Sequence, residues 1–448
     1  MPRSRAKIAA CAAPRRAATT SKTLHSRIAD VDYYFHFQGK FGDDKETEDA
    51  FQSNLGKIIR EQTAIFGEMP LSEYHFIYQL LPYNMGHAVE HKYSSCYAMP
   101  DRVATSARAI GRLNSISSHE FFHLWNVKRI RPAVMWPYDY QNESHTTQHW
   151  FTEGVTDYYA SLSLTRCGLY TREIFYKVMG RTIQALENNY ASQAISPAQS
   201  SFDSWLERSK YGLPYHRISY YTLGTRVGLI MDLEIRRQSK GKLSLDDLFR
   251  KMFASHFQQD KGVGEDDIQQ SLEDMTGNDW GEFFRKYVHG TEKYDYAEYF
   301  KPFGLAFSMT PMNGRTWDRV GISRSEETDG GLFVEEVLPN SDAARAGLGE
   351  GDVITRFNGK TLEEFDAAMF FEEFKREKEI FMKVKRNGEM TAFNLVWTGN
   401  DGPKVVKLEQ KAKMKKKEEE MLDGWLDSKP NWRIDDLMIS YSTPGGGV

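Results

Sequence analysis

The sequence predicts an α+β protein: a lobe mixing a small sheet with many helices, followed by a separate β-rich unit. Three observations carry this. Between about residues 130 and 300, apolar residues recur at helical spacing. After Gly304 the pattern changes to short strands and turns. Pro302, Gly304, Pro311 and Gly314 cluster at the change and mark a boundary near 303–314. The chain is 448 residues long and 40% hydrophobic, enough apolar material for sizeable cores in two or three domains.

The elements follow in order. Met1–Ala29 holds seven basic residues and no acid, with much Ala, Ser and Thr. Residues 1–28 therefore read as a disordered or transit-like tail. The apolar stretch Ile8–Ala13 is short and runs into Arg15-Arg16, so it makes no complete secretory signal. In Glu46–Phe66, the apolar positions Phe51, Leu55, Ile58, Ile59 and Ile65 give a helix. Tyr74–Leu81, aromatic and β-branched, gives a strand, and Pro82–Gly86 a turn. Val103–Val127, Trp150–Arg166 and Thr171–Ala191 are helical. Ser192–Trp205, with Pro197 and many small polar residues, reads as a loop. Ser219–Gln238, Leu245–Phe257, Glu265–Thr276 and Trp280–Val288 are four more helices. The strands Gly331–Leu338, Val353–Phe357, Ile380–Val384 and Thr391–Trp397 follow, the last two joined by the hairpin signal Asn387-Gly388. Lys407–Glu420 is dense in Lys and Glu, a solvated helix or a disordered run, and 401–448 is expected to be a charged tail.

Charge excludes two partner classes. Lys+Arg number 58 against 62 Asp+Glu, so no basic excess points to nucleic acid or to an anionic membrane. No run of 18 apolar residues is present, so no transmembrane helix is expected and the chain reads as soluble. The compartment is left open, with cytoplasmic or organellar favoured. Three cysteines without C-x-x-C spacing make neither a disulfide framework nor a thiolate metal site.

The strongest chemical signal is His119-Glu120-Phe121-Phe122-His123, an H-E-x-x-H inside a helical stretch. Residues four apart share a helix face, so both imidazoles project together, as Zn²⁺ requires. Glu120, beside the first histidine, reaches a metal-bound water. With 12 His in the chain, about 0.02 such matches arise by chance. A third ligand is needed. Glu153 opens an amphipathic helix, with Asp157 one turn on to accept the free N–H of a ligating histidine. His145 and His149 are rival third ligands.

The stretch His119–Pro132, followed by W-F-T-E-G-V-T-D-Y-Y at Trp150–Tyr159, resembles the glycyl aminopeptidase family of gluzincin metallopeptidases. The resemblance covers about Tyr74 to Trp397. It implies a thermolysin-like catalytic domain, placed at 44–303, with one catalytic Zn²⁺ on His119, His123 and Glu153 and Glu120 as general base. Gly86-His87-Ala88-Val89-Glu90 resembles the family's Gly-x-x-Glu segment, which makes Glu90 the anchor for a substrate's α-amino group. From the residues alone Glu90 is a surface acid after a glycine turn. Tyr221-Thr222-Leu223-Gly224 is similar to a Tyr-x-x-Gly segment whose tyrosine stabilises the oxyanion. Tyr220 and His216 are alternatives. Gly330–Val337 with Ala346–Asp352 resembles a bacterial-type PDZ domain, placed at 315–400, which implies an extended peptide as a further partner. The family usually carries a substantial N-terminal β domain, of which residues 29–43 would be the remnant here. The implied activity is aminopeptidase action on peptides with a free N-terminus and a small first residue such as Gly or Ala. A zinc endopeptidase and a non-catalytic PDZ-bearing adaptor are the competing readings.

Overall fold

The structure, a computed structural model, describes residues 21–206, 218–311, 316–364, 378–398, 403–427 and 440–442. Period-two alternation builds the first sheet. In β1 (Ser21–Ile28) and β2 (Val31–Gln38), residues Leu24, Ile28, Tyr33, Phe35 and Phe37 face inward. Ala29 and Asp30, both at positive φ, turn one strand into the other. Helix α1 (Lys45–Phe66), capped by the Asp44 side chain, crosses over to β3 (Glu73–Leu81), which lies parallel to β2. β4 (His87–Glu90) and β5 (Ser94–Pro100) complete a mixed sheet of order β13-β1-β2-β3-β5-β4, where β13 is Ser440–Ser442. β4 is an edge strand. The buried face, with Tyr33, Phe35, Phe76 and Tyr97, packs on α1 and on α2 (Gly111–Phe122) through contacts such as Phe35–Phe51 and Phe76–Phe121.

The helical lobe follows: α3 (Val155–Arg166), α4 (Arg172–Glu187), α5 (Pro197–Phe202), α6 (Tyr220–Ser239), α7 (Leu245–Ser255), α8 (Asp267–Thr276), α9 (Gly281–Tyr287) and α10 (Tyr296–Phe300). Two sequence readings change here. The expected loop 192–205 contains α5, whose start is set by Pro197 at its first turn and by the Ser196 cap. The expected helix 103–127 is shorter, because Asp101–Ala104 is a 3₁₀ turn and α2 ends at Phe122.

β6 (Leu305–Pro311) leads into the second unit, built from β7 (Ile322–Thr328), β8 (Gly331–Val337), α11 (Asp342–Arg345), β9 (Val353–Phe357), β10 (Glu379–Arg386) and β11 (Glu389–Val396). The strands form one sheet, order β11-β10-β9-β8-β7, over a separate core that includes Trp317, Ile322, Val334, Ile354 and Val384. Asn387 and Gly388, both at positive φ, make the hairpin turn between β10 and β11.

The chain then returns. β12 (Lys404–Gln410) pairs antiparallel with β6, and the C-terminal helix α12 (Lys416–Leu426) packs into the first lobe. Two expected tails are thus corrected where the structure describes them. Residues 21–28 are a sheet strand, because Leu24 and Ile28 alternate inward. Residues 31–38, read as a remnant of a separate β domain, are the neighbouring strand of the same sheet. Just after the Lys/Glu-rich run, Met421, Leu422, Trp425 and Leu426 form a buried stripe at helical spacing that the preceding charges hide.

α12 closes a buried polar network beneath α3. The Trp425 Nε1–H donates to Tyr158 Oη at 2.8 Å, and the Tyr158 hydroxyl donates to Asp232 at 2.7 Å. Arg166 Nη1 reaches both Asp246 oxygens at 3.1 Å, and its Nε–H donates to the Trp425 carbonyl at 3.0 Å. Such groups are costly to bury unpaired, and of the side-chain atoms of these five residues only Arg166 Nη2 is left buried without a partner. The network therefore fixes α3, α6, α7 and α12 in a single arrangement.

Candidate metal centre

His119 lies on the last turn of α2 and His123 is that helix's C-cap. Their Nε2 atoms are 3.0 Å apart, and Glu153 Oε2 lies 3.5 Å from the first and 3.2 Å from the second. A tetrahedral site with bonds near 2.0–2.1 Å has ligand–ligand edges of roughly 3.3 Å, which these three atoms match. The tautomers are set from behind. His119 Nδ1 lies 2.7 Å from Asp157 Oδ1, and His123 Nδ1 lies 2.6 Å from the Asn126 carbonyl. Both partners are acceptors, so each Nδ1 carries the proton and each Nε2 turns a lone pair to the common point. The donor set therefore fits a zinc ion.

Glu153 reaches this point through an unusual piece of backbone. Trp150–Gly154 is a π-helical turn ahead of α3, a rare feature that is frequent at functional sites. It packs against α6 backbone to backbone, which needs glycine at 154 and 224. Tyr221, three residues before Gly224, is brought near Glu153, whose charge, after burial, helps to raise its phenol, and its ring lies 6.0 Å from that of His119. Tyr220 stacks on Tyr221, with 4.9 Å between ring centres, and its ring lies 5.2 Å from that of His149. His145 hydrogen-bonds the Phe202 carbonyl at 3.0 Å. Among the described residues, neither His145 nor His149 joins a group of converging metal donors. His216 lies outside the described residues.

The electrostatics separate the carboxylates. Burial pushes the Glu120 carboxyl up to about 7, against the pull of His123 and His119. Its Oε2 is buried with no hydrogen-bond partner. Burial pushes Glu153 up too, but His123 and His119 outweigh it and hold the carboxyl well below the ordinary range. For His119, burial is outweighed by Asp157 and Glu153, which hold the imidazole well above its ordinary value. Glu90, at the end of β4, shares a cluster with Glu120 and His123, their donor atoms lying within 4.8 Å of one another. It also pairs with Lys128 at 2.8 Å. Burial would raise the Glu90 carboxyl, but His123 and Lys128 more than reverse that.

The seven expected site residues are thus brought together: His119, Glu120, Asp157 and Tyr221 line one cleft, and His123, Glu153 and Glu90 join them through converging donor atoms. Two contributors escaped the sequence reading. Asn126 acts through its backbone carbonyl on His123, while its side chain ties the π turn at Phe151 O (2.9 Å). A carbonyl leaves no trace in residue type, so nothing in the sequence marks it. Lys128 was visible only as one more basic residue. Neither Cys96 nor Cys167 is in a disulfide among the described residues.

Residues 112–227 match the family model of the M61 glycyl aminopeptidases, and residues 311–385 match that of PDZ domains. The first match contains every residue of the centre except Glu90. The chain superposes on a solved aminopeptidase N family protein from Idiomarina loihiensis with a TM-score of 0.68 at 23% identity, over 91% of this chain and 70% of that one. The fold is that of a metallopeptidase followed by a PDZ domain. Among curated proteins, the periplasmic serine endoprotease DegP of Escherichia coli K12 is 60% identical over 37 residues, 8% of either chain. The mouse serine protease HTRA3 is 32% identical over 66 residues, 15% of this chain and 14% of that one. The chain spans about a seventh or less of the length of these two relatives.

Proposed function

We propose that the chain is a zinc-dependent aminopeptidase that hydrolyses the first bond of peptides, preferring small N-terminal residues such as Gly or Ala. The observation that carries the reading is the convergence of His119 Nε2, His123 Nε2 and Glu153 Oε2 beside Glu120, whose Oε2 is buried without a partner. His119, His123 and Glu153 would hold the ion. Bound zinc supplies a Lewis acid that polarises the scissile carbonyl and makes water a nucleophile near neutral pH.

The chain's own residues do the rest. Glu120, poised near neutrality, takes the water's proton and later delivers it to the leaving amine. Asp157 and Asn126 hold the imidazoles in the ligating tautomer. The Tyr221 hydroxyl donates to the oxyanion that forms at the carbonyl oxygen. Glu90 receives the α-ammonium and limits cleavage to the first residue. The small-residue preference rests on the family resemblance. The edge strand β7 of the PDZ domain is suited to adding an extended peptide. No described helix is long and apolar enough to cross a membrane.

One observation favours an endopeptidase instead: Lys128 already neutralises Glu90, which weakens it as an ammonium anchor. Hydrolysis of a glycyl-arylamide and its N-acetylated twin, with and without chelator, decides between them. Chelator-sensitive cleavage of the free amine alone supports the aminopeptidase. Cleavage of both supports the endopeptidase. Cleavage of neither by folded, zinc-loaded protein removes both and leaves a non-catalytic adaptor.

A further inference from the structure

We propose that Arg112 is a specificity residue that binds a carboxylate on the third or fourth residue of the substrate. The inference rests on the aminopeptidase reading for the direction in which the peptide lies.

The cleft in front of the metal centre has a volume of about 550 Å³, and Arg112, Ile116 and His119 line it together. They sit at i, i+4 and i+7 of α2, on one face, so Arg112 is two turns or about 10 Å along the helix from the first metal ligand. Its guanidinium lies against the main chain at the start of β4: a Cβ on Gly86 would be 3.1 Å from Arg112 Nη2. The side chain is exposed. Among the described residues it has no hydrogen-bond or ion-pair partner, unlike Arg166 and Arg236 of the same lobe. A free guanidinium held in a cleft is a fork for a carboxylate.

β4 gives the distance and the direction. It is an edge strand whose only described partner is β5. Glu90 closes the strand beside the metal ligands, and Gly86 immediately precedes it. Four residues of strand span about 13 Å. A peptide whose ammonium is fixed at Glu90 can follow β4 only toward Gly86, that is, antiparallel. Its third or fourth residue then comes level with Arg112. The guanidinium thus lies at the Gly86 end of β4, in the cleft lining, and Glu90 lies at the other end of the same strand, beside the metal donors. The acid that Arg112 binds is either the α-carboxylate of a short peptide or the side chain of an Asp or Glu in a longer one.

Two substrate pairs separate these sources: Gly-Ala-Ala against its C-terminal amide, and Gly-Ala-Asp-Ala-amide against Gly-Ala-Asn-Ala-amide. We expect about a tenfold higher kcat/KM for the acidic member of at least one pair, the size of one charge-assisted hydrogen bond. Arg112→Gln brings that ratio to about 1, and Arg112→Lys keeps part of it. Discrimination in the first pair only assigns the α-carboxylate, and in the second pair the side chain. Equal rates for both pairs, or a ratio that survives Arg112→Gln, overturn the proposal. Binding to the Glu120→Gln protein, measured by calorimetry with the same peptides, needs no turnover. If the acidic preference appears in binding while the wild type leaves free-amine peptides uncleaved, the aminopeptidase reading fails and Arg112 stands. If free-amine peptides are cleaved but no preference appears in either assay, Arg112 fails alone.

Discussion

Gly154 and Gly224 meet with no room for a side chain on either. A Cβ on Gly224 would lie 2.0 Å from the Trp150 carbonyl oxygen, and one on Gly154 would lie 2.4 Å from Gly224 Cα. This contact seats the π turn on α6 and so brings Glu153 to Tyr221. We expect Gly224→Ala to force the two elements apart at a cost of about 1–3 kcal/mol and to weaken zinc binding together with stability. Thermal melting and metal content check this. A variant that melts like the wild type and keeps its metal would show that the close approach is dispensable.

Glu120→Gln removes the proposed proton acceptor and leaves His119, His123 and Glu153 intact. We expect kcat to fall about 10²–10⁴-fold with zinc stoichiometry unchanged. Turnover of a glycyl-arylamide, measured beside elemental analysis of the same sample, tests it. Ordinary turnover would end the general-base assignment.

Asp157→Asn keeps the shape but weakens the acceptor behind His119. Zinc affinity is expected to drop about 10–100-fold, read by competition with a chromogenic chelator, with the melting curve little changed. An unchanged affinity would make the 2.7 Å contact incidental.

Away from the metal centre, His36 gives a pH dependence with a definite sign. Its Nε2 lies 3.0 Å from His75 Nδ1 and its Nδ1 lies 3.0 Å from Thr23 Oγ1. Burial, helped by His75, pushes the imidazole down from 6.5 to about 4. The folded chain therefore leaves it neutral at a pH where the unfolded chain protonates it. The unfolded state binds the extra proton, so stability is intact above about 6.5 and falls as pH drops toward 4. Melting temperatures of the wild type and His36→Gln between pH 7 and 4 should converge on the acid side. Parallel curves would remove His36 from the account.

Trp425 lies more than 250 residues after the metal ligands, yet its indole bonds Tyr158 of α3 at 2.8 Å. Trp425→Ala is expected to cost about 3–5 kcal/mol, a fall in Tm on the order of ten degrees for the peptidase lobe. A loss confined to the C-terminal helix would contradict the shared core.

What the sequence revealed and what it hid follow from range. His119, His123 and Glu153 were legible because helical spacing and ligand chemistry are local, and α1 and α6 because their apolar period is strong. The tyrosine whose ring lies beside His119 could not be told from its neighbour, since one residue of helix rotation decides it. The ends of the chain were misread because strand pairing is not local. β12 looks like a charged run until β6, about a hundred residues earlier, is placed beside it. α12 shows only four buried residues among its lysines and glutamates. Asn126 was invisible for a different reason, because its work is done by a main-chain carbonyl.

The PDZ domain is spliced between two paired strands, and this orders events while the chain is being synthesised. The smaller core draws on residues 317–395 and can close as soon as they have emerged. The larger core needs Leu422, Trp425 and Leu426 and must wait. A ribosome thus exposes a finished appendage hanging from an unfinished peptidase.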